Sequence, residues 1–195
     1  AAGEAGMNLP KPYYEDSAVQ IYHGDNRDIL PLLEPRSIDL VLTDPPYGIS
    51  FKADRMRANR PNGGGHIWRD TVIIGDDKPF DPTPLLVFPR LILWGANCYA
   101  GKLPQSAGWL VWDKVPYGAR EGFIYSHAEL AWTNILGRVE KYAVAWNAGE
   151  RDGEPFLHPT QKPLRLMMWC VERFSSKSGL ILDPFMGSGT TLRAA

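Results

Sequence analysis

Four consecutive residues, Asp44-Pro45-Pro46-Tyr47, bring a carboxylate, two proline carbonyls and an aromatic ring onto one short turn. They end an apolar run, Ile38-Asp39-Leu40-Val41-Leu42-Thr43, whose length and branched composition fit a buried parallel strand. Two prolines in succession allow neither helix nor ladder pairing, so the chain must leave the sheet there. The turn therefore lies at the carboxyl edge of a strand, where open α/β sheets bind ligands. Asp44 and the Pro45 carbonyl can together accept both hydrogens of an exocyclic amino group, with Tyr47 stacked on the ring that carries it. Asp and Pro are also common turn residues, so this tetrapeptide alone is compatible with an ordinary strand end.

A second set of the same kind closes the chain. Residues 179–182 read as a buried strand, followed by Asp183-Pro184-Phe185-Met186-Gly187-Ser188-Gly189-Thr190-Thr191 and the opening of a helix. Strand, glycine-rich turn and helix amino end form a recurring cradle for nucleotide-like or anionic ligands. It is not a phosphate loop, because the lysine before the Ser/Thr pair is missing, and it lacks the three-glycine dinucleotide spacing. A third candidate, Gly24-Asp25, ends a short alternating strand at 19–24. A helix over Arg27 to Leu33 and the 38–43 strand follow, giving a parallel βαβ unit by period. Asp25 then shares a sheet edge with Asp44, though it can equally cap the helix after it.

The elements around these sites are shorter. Residues 71–74, 91–94 and 110–112 read as strands, with a proline-rich crossing between the first two. Residues 128–133 and 142–146 read as an antiparallel hairpin, since no helix intervenes. Residues 163–174 have helical apolar spacing at Leu164, Met167, Met168, Val171 and Phe174, entered through Pro163. Between Gly48 and Asp70 lies a glycine-containing segment with Lys52, Arg55, Arg57, Arg60 and Arg69 against Asp54 and Asp70. A basic flap that meets a polyanion fits this composition, with a solvated loop as the plain alternative.

The bulk composition removes several function classes. With 195 residues, 44% hydrophobic and 22% charged, the chain is long enough for one full core. A net charge of −1 means that nucleic-acid binding must come from a local basic face. No apolar stretch is long and clean enough to span a membrane. Cys98 and Cys170 have no paired spacing and read as two buried thiols in a reducing cytoplasm. The four histidines show no metal-ligand spacing, and no metal is expected. Residues 1–18 read as an amino-terminal tail and 19–195 as one domain.

Together, the three sets resemble the amino-group DNA methyltransferases that use S-adenosylmethionine. Asp44-Pro45-Pro46-Tyr47 is similar to their catalytic signature, and the 183–191 turn to their cofactor loop. His158-Pro159-Thr160-Gln161-Lys162-Pro163 is similar to a further family motif beside the cofactor's amino-acid end. Gly24-Asp25 is similar to the acid that meets the cofactor adenine. With the catalytic turn first and the cofactor loop last, the order resembles the circularly permuted beta class.

The resemblance implies a mostly parallel, seven-stranded Rossmann-like α/β sheet with one antiparallel strand. It implies Asp44, Pro45, Pro46 and Tyr47 as the catalytic set. The implied cofactor-binding set is Asp25, His158, Pro159, Thr160, Gln161, Lys162, Asp183, Pro184, Phe185, Gly187, Ser188, Gly189, Thr190 and Thr191. Target recognition would fall at about 135–157, with DNA contacts from Arg138 and Lys141 and from Lys52, Arg55, Arg57 and Arg60 of the basic loop. The implied partner is double-stranded DNA in a bacterial or phage-infected cytoplasm, with a homodimer left open.

An aspartate at the head of the catalytic turn favours adenine N6 over cytosine N4 within the family. The family also continues past the helix that begins at 190 to a ribose-binding strand, so the chain reads as ending before the fold is complete. Competing readings are an RNA or protein-glutamine methyltransferase, or a non-catalytic DNA-binding module that keeps the fold.

Overall fold

The computed structural model describes residues 9–51, 72–116, 118, 126–145, 154, 157–158 and 160–195. Its centre is β3 (Leu40–Thr43), every residue of which is buried. On one side β3 pairs in parallel with β4 (Leu91–Trp94), and on the other with β8 (Ile181–Leu182). Beyond β4 come β6 (Ala128–Thr133), β5 (Trp109–Asp113) and β7 (Val139–Ala143), giving the order β7-β5-β6-β4-β3-β8. β6 runs antiparallel to both its neighbours and β7 runs parallel to β5. The sheet of the described residues thus has six strands, all parallel except β6.

Uninterrupted apolar runs in β3 and β4 follow from burial on both faces. Leu40, Leu42, Ile92, Trp94, Leu110 and Trp112 point to one side, where Leu166, Met167, Cys170 and Phe174 of α2 (Leu164–Phe174) cover them. Val41, Leu91, Leu93 and Trp132 point to the other, against Leu30, Leu85, Phe88 and Tyr99. The face of α2 that is buried is offset from the expected stripe: Met168 is exposed, while Leu166 and Cys170 take core positions. Of the two thiols, Cys170 is buried as expected. Cys98 is exposed, on a 3₁₀ turn (Ala96–Cys98) beside the sheet edge.

Four sequence-based elements are corrected. β2 (Gln20–Ile21) does not join the main sheet. It pairs antiparallel with β1 (Tyr14–Glu15) in a separate ribbon, and the place beside β3 is taken by β8. There is accordingly no βαβ unit at residues 19–43. The helix between them is only α1 (Asn26–Ile29), because Pro31 offers no amide to the Arg27 carbonyl and its ring would crowd that group. A 3₁₀ turn (Leu30–Leu32) replaces the rest.

Val72, Ile73 and Ile74 form no strand. Val72 and Ile74 are exposed, and β3 has no vacant neighbour for them to pair with. Nor do β6 and β7 form a hairpin: β6 enters between β4 and β5, and β7 continues to the far side of β5. The alternating charges of Val139-Glu140-Lys141 suit that outer position, since an edge strand carries polar residues and a central one does not.

Candidate active site

Because β3, β4 and β8 run parallel, the chain segments that follow them open on one edge of the sheet. The Asp44–Tyr47 turn follows β3, Gly95 follows β4, and the Asp183–Gly189 turn follows β8. Thr43, fully buried, donates its hydroxyl to Asp183 Oδ1 at 2.6 Å, and the same oxygen accepts from the Phe185 amide at 3.1 Å. Burial pushes the Asp183 carboxyl up from its ordinary range, while Thr191 and Thr43 act against that shift. The Asn26 side-chain amide donates to the Pro184 carbonyl at 3.2 Å and so ties α1 to the same turn. Gly187 and Gly189 both have positive φ, at +54° and +74°, which side chains with a Cβ rarely adopt. α3 (Thr190–Ala194) begins directly after them.

These segments border a cleft of about 1280 Å³ whose walls include Asp25, Asp44, Tyr47, His158, Asp183 and Ser188. That is ample for a nucleoside-sized ligand beside a second ring. Of the residues read from the sequence as catalytic or cofactor-binding, all but Gly189 and Pro159, the latter outside the described residues, line this one cleft.

A compact ionic cluster surrounds the catalytic turn. Lys162 Nζ lies 2.6 Å from Asp44 Oδ2, 2.7 Å from Glu129 Oε1 and 2.9 Å from the Tyr47 hydroxyl. Tyr47 in turn reaches Asp44 Oδ1 at 2.5 Å and Glu129 Oε1 at 2.6 Å. Lys114 closes the far side of Glu129, 2.6 Å from Oε2. The phenol has one hydrogen to give, and Glu129 is already served by both lysines, so Asp44 Oδ1 is its natural acceptor.

Two carboxylates and two ammonium groups balance in charge, as buried ions must. Burial raises the Asp44 carboxyl from its ordinary range, with Lys162 opposing the shift and Glu129 adding to it. For Glu129 burial also acts upward, but Lys162 and Lys114 outweigh it and hold the carboxyl well below its usual range. Lys162 stays protonated: burial acts against its charge, and Asp44 and Glu129 overcome it. All of these side chains border the cleft, and Asp44, with 22% of its side chain exposed against 5% for Lys162, is the most accessible of the four ions.

The rest of the turn is held from below. Asp76, buried, accepts the amides of Gly48 at 2.8 Å, Ile49 at 3.3 Å and Phe51 at 2.6 Å. One carboxylate thus satisfies three backbone donors in the chain leaving Tyr47. Asp76→Ala should leave all three without that partner and cost about 3 kcal/mol, at the low end of 1–3 kcal/mol for each because the bonds are only part-buried. Urea unfolding would measure the loss, and an unchanged midpoint would mean that water replaces the carboxylate.

Not every expected residue reaches the cleft in the same role. Asp25 lines it, but also caps α1 by accepting the Arg27 amide at 2.9 Å and pairs with the Arg27 guanidinium, which holds its carboxyl at about 2. His158 Nδ1 and Thr160 Oγ1 are 2.9 Å apart at the wall. Gln161 is turned into the fold, accepting the Leu157 amide and donating to Glu154. Lys162, expected beside the cofactor, sits on the catalytic turn.

Arg138 precedes β7, at the sheet edge opposite the cleft, and is paired with Glu140. Lys141 lies within β7, 3.4 Å from Asp113. Lys52, Arg55, Arg57, Arg60, Arg69 and Pro159 lie outside the described residues. Four residues of the site escaped the sequence reading: Glu129, Lys114, Asp76 and Gly95. Only Glu129 left a usable sign, an acid within the apolar strand Ala128-Glu129-Leu130-Ala131-Trp132, since such a charge is rarely buried without a partner.

A family model described as DNA methylase, of the N6/N4 type, matches residues 91–195, more than half of the chain. The chain belongs to the N6/N4 DNA methylase family. Such an enzyme methylates DNA with S-adenosylmethionine as donor. Similar proteins include the Type II methyltransferase M.ScaI of Streptomyces caespitosus, 27% identical over 94% of this chain and 75% of its own length. Another is the Type II methyltransferase M2.LlaDCHI of Lactococcus lactis subsp. cremoris, 24% identical over 95% and 83%. Among solved structures, TTHA0409 of Thermus thermophilus is 22% identical, with a TM-score of 0.45 over 88% of this chain and 81% of that one. For this DNA methylase the sequence reading of the function holds, as does that of a mostly parallel α/β sheet.

Proposed function

We propose that this DNA methylase transfers a methyl group to the N6 amine of an adenine flipped out of duplex DNA, with Asp44 and the Pro45 carbonyl as hydrogen-bond acceptors. The observation that carries this reading is the partly exposed Asp44 carboxylate in the same cleft as the glycine turn. An amine conjugated to a base is a weak nucleophile, because its lone pair is delocalised into the ring. Two acceptors aimed at its hydrogens localise that pair and stabilise the positive charge that develops on nitrogen. Holding amine and donor in line supplies much of the remaining acceleration. Bound S-adenosylmethionine would supply the electrophilic methyl on its sulfonium.

The residues that would hold the cofactor are Asp25, His158, Thr160, Asp183 and the 187–191 turn, with Gln161 and Pro184–Phe185 shaping the wall. The donor and acceptor set suits a ligand with an adenosine and an amino-acid end. A paired amine is out of reach inside a duplex, so the base must enter the cleft, and the Tyr47 ring is the stacking face we assign to it. The chain order, catalytic turn before glycine turn, supports a circularly permuted arrangement, with target recognition at about 135–157. Relatives named as Type II methyltransferases support a modification partner of a restriction system.

The test is incubation with radiolabelled S-adenosylmethionine and unmethylated duplex DNA, followed by digestion to nucleosides. Label in N6-methyladenine is expected. Label in N4-methylcytosine would keep the acceptor chemistry and overturn the base, and label in neither would sink the reading. Neutralising Arg55, Arg57 and Arg60 together should lower the salt dependence of DNA binding by about two to three phosphate contacts. A slope unchanged from the parent would remove the 52–69 segment from the interface.

A further inference from the structure

We propose that Lys162 and Glu129 are positioning residues for the transfer step: the ammonium, clamped between the two carboxylates, keeps Asp44 ionised and aimed, and Glu129 holds the ammonium in place. This rests on the reading of Asp44 as the acceptor of the amine hydrogens. An ammonium has three hydrogens, and the three acceptors at 2.6, 2.7 and 2.9 Å use all of them. None is left to bind a ligand carboxylate, so this lysine serves the catalytic turn and not the cofactor.

Three separate segments build the clamp. Asp44 and Tyr47 come from the turn after β3, Glu129 from β6, and Lys162 from the residues before α2. Their juxtaposition is made only by the fold. The need for it follows from the chemistry. Besides Lys162, the titratable groups that exchange electrostatic influence with Asp44 are Glu129, Asp183, Tyr47, Tyr99 and His158, of which two are acids. Lys162 is the cation in contact with it, while Lys114 acts from behind Glu129. Burial alone pushes the Asp44 carboxyl toward its neutral form, in which one oxygen carries a proton and the charge that would stabilise the methylated amine is lost.

The experiment is single-turnover methyl transfer to duplex DNA across the acidic limb of the pH profile, with wild type, Lys162→Met, Glu129→Gln and Lys162→Arg. Activity is lost as pH falls through the value at which Asp44 takes up a proton. Removing the cation should move that limb upward by about one pH unit or more, and removing the neighbouring anion should move it downward. Lys162→Arg should restore the wild-type position. S-adenosylmethionine affinity, measured by calorimetry without DNA, should stay within about threefold of wild type in each variant.

Limbs that do not move, or that move in the same direction, would overturn the proposal, as would a loss of cofactor affinity that parallels the loss of rate. Glu129→Gln is nearly isosteric and decides the question alone if Lys162→Met does not fold. Asp44→Asn separates the two readings. If it turns over like wild type, the role of Asp44 falls and this proposal with it. If its rate falls below wild type while the limbs of the other variants stay fixed, only the positioning role falls.

Discussion

Asp44→Ala is expected to reduce methyl transfer by about a thousandfold or more while S-adenosylmethionine still binds. Removing one preorganised group that stabilises transition-state charge commonly costs two to three orders of magnitude, and here the aspartate also carries the formal charge. Among the described residues the Asp44 carboxylate is bonded within the ionic cluster, to Lys162 and Tyr47. Lys162 keeps Glu129 as a partner after the change, so no cation is stranded and the variant should fold. Single-turnover rates with labelled cofactor measure the first expectation, and thermal unfolding with cofactor calorimetry the second. Asp44→Asn, which keeps an oxygen acceptor but not the charge, should fall between. Wild-type turnover by the alanine variant would remove Asp44 from the chemistry.

Gly95→Ala should damage the same step from outside the catalytic turn. Gly95 sits at φ +68°, in the left-handed region, and a Cβ there would lie 1.9 Å from Tyr47 Cε1 and 2.2 Å from Cζ. Both the backbone and the ring resist the substitution. The conformation alone costs about 1–2 kcal/mol for a residue with a Cβ, and the ring must be displaced by more than an ångström to relieve the contact. Its hydroxyl would then leave Asp44, Glu129 and Lys162, from which it lies 2.5–2.9 Å. A misplacement of that size at a reacting group costs about a hundredfold in rate. The expected result is a lower unfolding temperature together with a fall in turnover of about that order. Tyr47→Phe should fall much less, because it keeps the ring in its place against Gly95 and removes only the hydroxyl. Equal losses in the two variants would show that the hydroxyl, and not the placement of the turn, is what Gly95 protects.

What the sequence alone determined is local. A double proline after an apolar run can only end a strand, and a Gly-x-Gly after another can only make a tight turn, so Asp44–Tyr47 and Asp183–Thr191 could be read with their chemistry. Pro163 likewise fixed the start of α2. The strands 91–94, 110–112 and 128–133 were visible as apolar runs, and the family resemblance added their mostly parallel arrangement with one reversed strand.

Tertiary structure decided which strands became neighbours and which side chains met. Residues 20–21 look as able to pair with β3 as β8 does, and β7 looks as able to pair with β6 as with β5. The choice depends on burial of both faces of the whole sheet, which no short window contains. The clamp around Asp44 is the clearest instance. Glu129 and Lys162 lie 85 and 118 residues away from it in sequence by their numbering; the first shows only as an acid in an apolar strand, the second only as part of a cofactor-side motif, and neither points to Asp44. Only when the sheet closes over them does the cost of burying unpaired ions force carboxylates and ammonium groups together, and that pairing is a property of the folded interior.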